Sequence, residues 1–333
     1  MRDDSRGAIM RIHFTRLDLA RTQLADGPDP MWEAVNSLQA LQGRYGQAEL
    51  RQWRSQTAHE LRGTGLAAAV RHQLFPLVPH AAYFPDLVTP LEGALGLDAG
   101  IEAMLSTPRG RIVAEIDRLK PDRAGRAHLE RFRAGRASDL NACGDLMRLY
   151  YRAAVDRIRE KITEAVDRDL AVRRTAVHTA GIDGLLSSYE PLMRWRYPVL
   201  ELPSHPSARD VYLQGRGVRL IPSYFCRTHP LTVYDGSLPQ VVVYPVRHTA
   251  ETGDSQALAR LLGETRAAVL ISIHKGCGTG QLALRVGISA PATSHHIGVL
   301  RDAGLVASSR SGTSVHHTRS RLGDALIRRY GPP

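Results

Sequence analysis

The spacing of hydrophobic positions changes several times along the chain. Met10-Arg11-Ile12-His13-Phe14-Thr15 alternates apolar and polar residues, which predicts a short strand behind a nine-residue leader. Gly27-Pro28-Asp29-Pro30 is a turn, and Asp29 followed by Pro30 places a cap and a first-turn proline at a helix start. Trp32, Val35, Leu38 and Leu41 then share one face, the expected core side. Pro76, Pro79, Pro85 and Pro90 predict a folded-over loop across 76–90. Thr107-Pro108 predicts a second capped start, opening a helix through Ile112, Ile116 and Leu119. The longest helical pattern covers 139–180, where Leu146, Leu149, Tyr150, Ala153, Ile158, Ile162, Val166 and Leu170 keep helical spacing and Gly181 supplies the stop. The pattern then turns strand-like. Val211-Tyr212-Leu213 and Val218-Arg219-Leu220-Ile221, joined through Gly215-Arg216-Gly217, predict a hairpin, and Val241-Val242-Val243-Tyr244 a further strand. Residues 1–248 are therefore expected to form an α+β domain, mostly helical with a small sheet.

A polar, small-residue run over 249–256 marks the expected boundary with a second domain at 249–333. Leu258, Leu261, Leu262, Ala267, Leu270, Ile271 and Ile273 predict two helices broken around Gly263-Glu264-Thr265. After the turn Gly276-Cys277-Gly278-Thr279-Gly280, Thr279 is positioned to cap a helix holding Leu282, Ala283 and Val286, which Gly287 ends. Ser289 caps the next helix, Ala290 to Ala303, with Ile297 and Leu300 on its buried side and Gly304 as its stop. Helix, glycine turn and helix in this order predict a helix-turn-helix. Small Ala283 allows close approach, and the N-terminal half of the second helix is left to enter a major groove. Residues 305–318 then predict a β-hairpin with a basic, glycine-bearing tip at Arg310-Ser311-Gly312-Thr313. A last helix over 321–329 closes a mostly α, winged unit and offers a strut for a dimer.

Charge sharpens this picture. The 333 residues carry 44 Lys+Arg against 33 Asp+Glu, a formal +11. Only three of the 44 are lysines, a skew that codon usage in a GC-rich genome explains. It does not explain the surplus itself, which points to a polyanion. The many arginines of 109–136 read as a solvated face, because only Phe132 is interleaved as a stacking partner for single strands. No apolar run spans a bilayer and no secretory segment opens the chain, so the expected compartment is the cytoplasm, with no membrane partner.

Other chemistries find less support. Gly276, Gly278 and Gly280 after Val269-Leu270-Ile271 resemble a phosphate loop, but Gln281-Leu282 stands where Lys-Ser/Thr is needed. Cys143, Cys226 and Cys277 form no C-x-x-C pair, and structural thiols are expected. His274-x-x-Cys277, His295-His296 and His316-His317 offer metal-type side chains without a second pair of defined spacing. His295 reads instead as facing DNA, and His316-His317 as sitting on the hairpin. His59-Glu60 lacks the following His of a zinc peptidase, and no Gly-x-Ser-x-Gly occurs. No catalytic residue, metal or cofactor is expected, and the protein is not expected to be an enzyme.

The run from Gln281-Leu282-Ala283 through Gly287-Ile288-Ser289 to Thr293-Ser294-His295-His296-Ile297-Gly298-Val299-Leu300-Arg301-Asp302-Ala303-Gly304-Leu305-Val306 resembles the winged helix of the ArsR family of bacterial repressors. The resemblance covers about residues 257–330, roughly a quarter of the chain. The preceding region is similar to the long extensions on a subset of such regulators. The resemblance implies a homodimeric, sequence-specific DNA-binding transcription regulator, a repressor reading an inverted-repeat operator in double-stranded DNA, and a small-molecule effector is an expected partner. Thr279 and Gln281 are expected at phosphate. Ser289, Ala290 and Pro291 open the reading helix. Ser294 and His295 lie near base edges, and Thr293 either joins them or packs inward. Arg301 is expected at the interface, and Arg310, Gly312 and Thr313 on the hairpin grip backbone or minor groove. Arg285 and Arg319 supply further charge for phosphates. The sequence departs from the family at three places. Gln281 to Val286 holds no cysteine box, the last helix offers only Asp324 as a metal ligand, and Ala290 and Pro291 replace polar side chains. The competing readings are a protein-partner docking module whose winged helix does not read DNA, or a ligand-binding protein whose N-terminal domain is the main activity.

Overall fold

The computed structural model describes residues 9–43, 50–81, 83–121, 123–203, 205, 208–226, 229–247, 255–273, 277–311 and 314–330. The leader and the polar run at 249–254 lie outside them. By its internal contacts the chain divides into two compact units, 1–248 and 249–333.

Unit 1 opens with β1 (Met10–His13), α1 (Arg16–Ala20), β2 (Gln23–Leu24) and α2 (Pro30–Gln42). Then come α3 (Arg51–Gly63), α4 (Ala67–Ala69), a π-helical turn (Val70–Leu74) and α5 (Phe75–Leu77). Five longer helices follow: α6 (Leu97–Leu105), α7 (Arg109–Ile116), α8 (Arg123–Ala134), α9 (Ala137–Ala154) and α10 (Arg159–Ser187). Strands β3 (Arg194–Arg196), β4 (Val199–Leu202), β5 (Asp210–Tyr212), β6 (Val218–Ser223), β7 (Leu231–Thr232) and β8 (Gln240–Pro245) complete it. They form two four-stranded sheets, β3-β4-β1-β5 and β2-β6-β8-β7. β2, β6 and β8 run parallel, and β6 and β8 are buried nearly throughout, which is why they read as continuous apolar runs.

The 211–221 segment is not a hairpin. β5 pairs in parallel with β1 in one sheet, and β6 belongs to the other. The loop between them is held by the start of the chain. The Gly217 amide donates to Asp18 Oδ1 at 2.9 Å, and Arg21 Nη1 donates to the Gly215 carbonyl at 2.7 Å. Gly217 has φ +74, and a Cβ there would lie 2.4 Å from the Arg21 carbonyl oxygen.

Asp29 does cap α2, accepting from the Met31 and Trp32 amides at 3.0 and 3.2 Å, with Pro30 in the first turn. The helix is not amphipathic, however. Every residue from Met31 to Ala40 is buried. Its polar side chains reach distant partners: Asn36 Nδ2 donates to Ser223 Oγ while its Oδ1 has no partner among the described residues, Ser37 bonds the Tyr150 hydroxyl, and Gln39 donates to the Pro79 carbonyl. Glu33 accepts from the Tyr224 amide at 2.7 Å, the Phe225 amide at 3.1 Å and the Ser223 hydroxyl at 3.2 Å.

The 139–180 pattern is two helices, parted by a single 3-10 turn at Asp156–Ile158. Leu149 is exposed, and Gly181 (φ +63) interrupts α10 rather than ending it. Nor does Thr107 cap α7. Its hydroxyl turns back to the Ala103 carbonyl at 3.4 Å, closing α6, and Pro108 precedes α7 without a side-chain cap. Across 76–90 the chain begins inside α5 and takes a 3-10 turn at Asp86–Val88. Among the described residues no helix is long and apolar enough to cross a membrane.

Glu33 gives unit 1 a specific pH dependence. Burial pushes its carboxyl up from 4.5 to about 7, against the pull of its three donors, and burial raises neighbouring Asp29 to about 6. A raised folded-state pKa contributes stability that is complete below the unfolded value and lost as pH rises through the folded one. For Glu33 that window is 4.5 to about 7. Glu33→Gln cannot ionise, so the stability of the natural chain relative to this variant should fall as pH rises across that window. The full swing is on the order of 3 kcal/mol. Thermal melts of both proteins at several pH values check this, and a difference that grows with pH contradicts it.

Candidate nucleic-acid interface

Unit 2 consists of α11 (Ser255–Leu262), α12 (Glu264–Ser272), β9 (Cys277–Gly278), α13 (Thr279–Val286) and α14 (Ala290–Asp302). After these come β10 (Val306–Ser311), β11 (Ser314–Arg319) and α15 (Arg321–Tyr330). Its core gathers Val269, Leu270, Ile273, Cys277, Leu282, Ile297, Leu300, Leu305 and Val306. The unit holds ten Lys+Arg and five Asp+Glu.

The turn between α13 and α14 follows from local chemistry. Gly287 takes the left-handed conformation (φ +71) that glycine adopts without strain, and its amide donates to the Ala283 carbonyl at 3.0 Å. Ser289 then caps α14, its hydroxyl accepting from the Ala292 amide at 3.3 Å. Ala290 and Pro291 follow, with Pro291 in the first turn, where its missing amide hydrogen costs nothing.

Along α14, Thr293, Ile297 and Leu300 form the buried stripe at i, i+4 and i+7. Pro291, Ser294, His295 and Arg301 are exposed on the remaining surface. Thr293 is fully buried, and its hydroxyl donates to the Ser289 carbonyl at 3.0 Å. Of the two placements open to Thr293 the structure takes the inward one, which removes it from the base-edge set. His295 is exposed and meets half-buried His296 edge-on.

Thr279 does not cap α13. It is the first helical residue, behind Gly278, whose amide donates to Gln281 Oε1 at 3.4 Å. The Thr279 hydroxyl instead bonds His317 Nε2 at 2.9 Å, and His317 Nδ1 bonds the Ser308 hydroxyl at 2.8 Å. His317 thereby ties the hairpin to the start of α13. Burial holds its pKa below the usual imidazole value, so it is neutral at pH 7 and both ring nitrogens take part in hydrogen bonds. The sequence pattern put His317 on the hairpin but carried no sign of this bridge, because Thr279 lies 38 residues away. Exposed Gln281 shares a face of α13 with Leu284, a leucine 86% exposed. Leu284 is out of phase with Leu282, Ala283 and Val286, which was the available signal for it.

β10 and β11 pair antiparallel from Val306↔Arg319 to Ser311↔Ser314, and β9 adds a short third strand through Gly278 and Cys277. Arg310 is exposed near the hairpin end. The tip residues Gly312 and Thr313 lie outside the described residues, as does His274. Two arginines expected to face phosphate are engaged inside the unit. Arg319 pairs with Asp324 at 2.8 Å, while Arg285 donates to the Ser272 carbonyl at 3.2 Å and to Cys277 Sγ at 3.1 Å. Arg301 keeps only a loose, exposed contact with Asp302 at 3.7 Å. Among the described residues no three His, Cys, Asp or Glu side chains gather as a metal site.

Residues 274–308 match the model of the family described as bacterial regulatory protein, arsR family. The match begins ahead of β9 and ends inside β10, so it takes in α13, the turn and the whole of α14. No curated protein and no solved structure matches the chain. Residues 274–308 thus carry an arsR-family helix-turn-helix behind a long N-terminal extension, and that segment indicates DNA-binding transcription regulation.

Proposed function

We propose that the protein is a sequence-specific transcription regulator that binds operator DNA as a homodimer and acts as a repressor. The observation that carries this is the division of α14. Thr293, Ile297 and Leu300 anchor it in the core, while Ser294 and His295 are exposed one turn past the Ser289 cap, where a reading helix meets base edges. Gln281 at the start of α13 and Arg301, both exposed, contact the flanking phosphates on this reading. The β10–β11 hairpin is the wing, with Arg310 reaching backbone or minor groove. Leu261 on α11 and Leu322 on α15 are exposed apolar residues on two helices that pack together, surface of the kind a second copy covers.

Each protomer then reads one half-site, so the operator is an inverted repeat with half-site centres about one helical turn, ~10 bp, or a multiple apart. Genome-wide mapping of occupied DNA followed by footprinting tests this. Protection of a single asymmetric half-site by a monomer refutes the dimer, and the absence of any specific site refutes operator reading. Exposed Leu284 favours a second reading, in which the unit docks a protein partner; on that reading binding to DNA has no sequence preference.

A further inference from the structure

We infer that the cavity beside the π-helical turn of unit 1 binds a small organic anion, with its charged group among Arg71, His72 and Lys120 and its apolar body against Phe75, Pro76 and Leu119. The cavity has a volume of about 350 Å³, in the range of small-molecule sites.

The sequence dictates the turn. Pro76 has no amide hydrogen, and in a regular helix its ring would press on the carbonyl four residues back, that of His72. The helix widens instead, and the Phe75 amide donates to the Val70 carbonyl five residues back. Such π turns recur at functional sites. Here the turn buries Val70 and Leu74 and leaves Arg71 and His72 exposed at the cavity. Lys120 reaches it from the α7–α8 connection, beside buried Leu119.

Among the described residues the charges at this cavity are unmatched. None of Arg71, His72 and Lys120 has a hydrogen bond or ion pair to a described residue, and none of the described lining residues is acidic. A second cavity, about 440 Å³, differs in this respect. Two of its three arginines, Arg148 and Arg159, are already paired with its own Asp98 and Asp156, and buried Glu33 lines it as well. Two exposed cationic side chains and an imidazole around an apolar floor suit a ligand that brings one anionic group and a hydrophobic body; a bare anion would leave the floor wet. His128 lies one turn along α8 from Gly125, a lining residue. It is buried, and neither ring nitrogen has a partner.

The test is calorimetric titration of the full chain with 1-naphthoate, with inorganic phosphate and 1-naphthol as the charge-only and body-only probes. Naphthoate should bind at one site per chain, at least about tenfold more tightly than either control. Arg71→Glu/Lys120→Glu should weaken it at least about tenfold, with an unchanged melting temperature, because neither side chain has a partner among the described residues. The neutral pair Arg71→Gln/Lys120→Gln should weaken it as well, and Arg152→Glu at the second cavity should not. Equal binding of phosphate and naphthoate, unaltered affinity in both double variants, or no naphthoate binding would each overturn the proposal. The titration needs no operator, so its outcome is independent of the DNA reading above.

Discussion

Ile297→Ala should lower the stability of unit 2 by ~2–5 kcal/mol, the usual cost of truncating a large buried aliphatic side chain. Ile297 is 3% exposed in a small core whose other members include Leu282, Leu300 and Val306, so little else can close over the space it leaves. DNA binding should then fail because the unit loosens. His295→Ala should do the opposite. Its ring is exposed and leaves no cavity, so the melting temperature should hold while specific affinity drops by ~1–3 kcal/mol, the scale of a base-edge contact. Thr293→Val adds a third arm. It removes the bond to the Ser289 carbonyl inside the core and should cost ~0.5–1.5 kcal/mol of stability without altering the specificity ratio. Melts and binding to operator and scrambled DNA separate the three. If His295→Ala destabilises the unit as much as Ile297→Ala, α14 is rotated from the orientation described.

Elements whose ends are decided by neighbours in sequence could be read directly. Gly287 and Ser289 carry the α13–α14 turn within three residues, and Asp29-Pro30 starts α2 in the same way. What escaped depends on partners far along the chain. Asp18 and Arg21 hold the loop that sends β5 and β6 to different sheets, and they lie about two hundred residues earlier. Glu33 and Asn36 are polar, so a periodicity argument leaves them outside the core, yet residues 223–225 supply donors and an acceptor that bury them. Thr279 fits a cap by its local context, and His317 takes its hydroxyl instead. Arg285 and Arg319 count as surface charge in a composition argument; only the fold shows that Ser272, Cys277 and Asp324 occupy them. The same limit applies to Arg71 and Lys120, which one cavity brings together although they stand 49 positions apart in sequence.

Those engaged arginines decide how steeply DNA affinity should respond to salt. Counting Arg285, Arg301, Arg310 and Arg319 in each of two protomers gives about eight phosphate contacts. The predicted slope of log affinity against log salt is then about −7, with a loss of about 10⁴-fold between 50 and 200 mM. With Arg285, though exposed, and Arg319 hydrogen-bonded to groups of the unit itself, only Arg301 and Arg310 of the four remain. Four contacts per dimer give a slope of about −3.6 and a loss of about 10²-fold over the same range. The shallower response is the expected result. Arg301→Gln and Arg310→Gln should each reduce the slope by about 1.8, because each removes two contacts from the dimer. Arg285→Gln and Arg319→Gln should leave the slope alone and act through stability, since their hydrogen bonds are internal. Binding isotherms on operator DNA at several salt concentrations, with melts of each variant, resolve these cases. A slope near −7 that Arg285→Gln reduces would mean that DNA draws Arg285 out of its contact with Cys277. A flat response in every variant would remove nucleic acid as the partner and leave the exposed Leu284 face, and a protein bound to it, as the better account of unit 2.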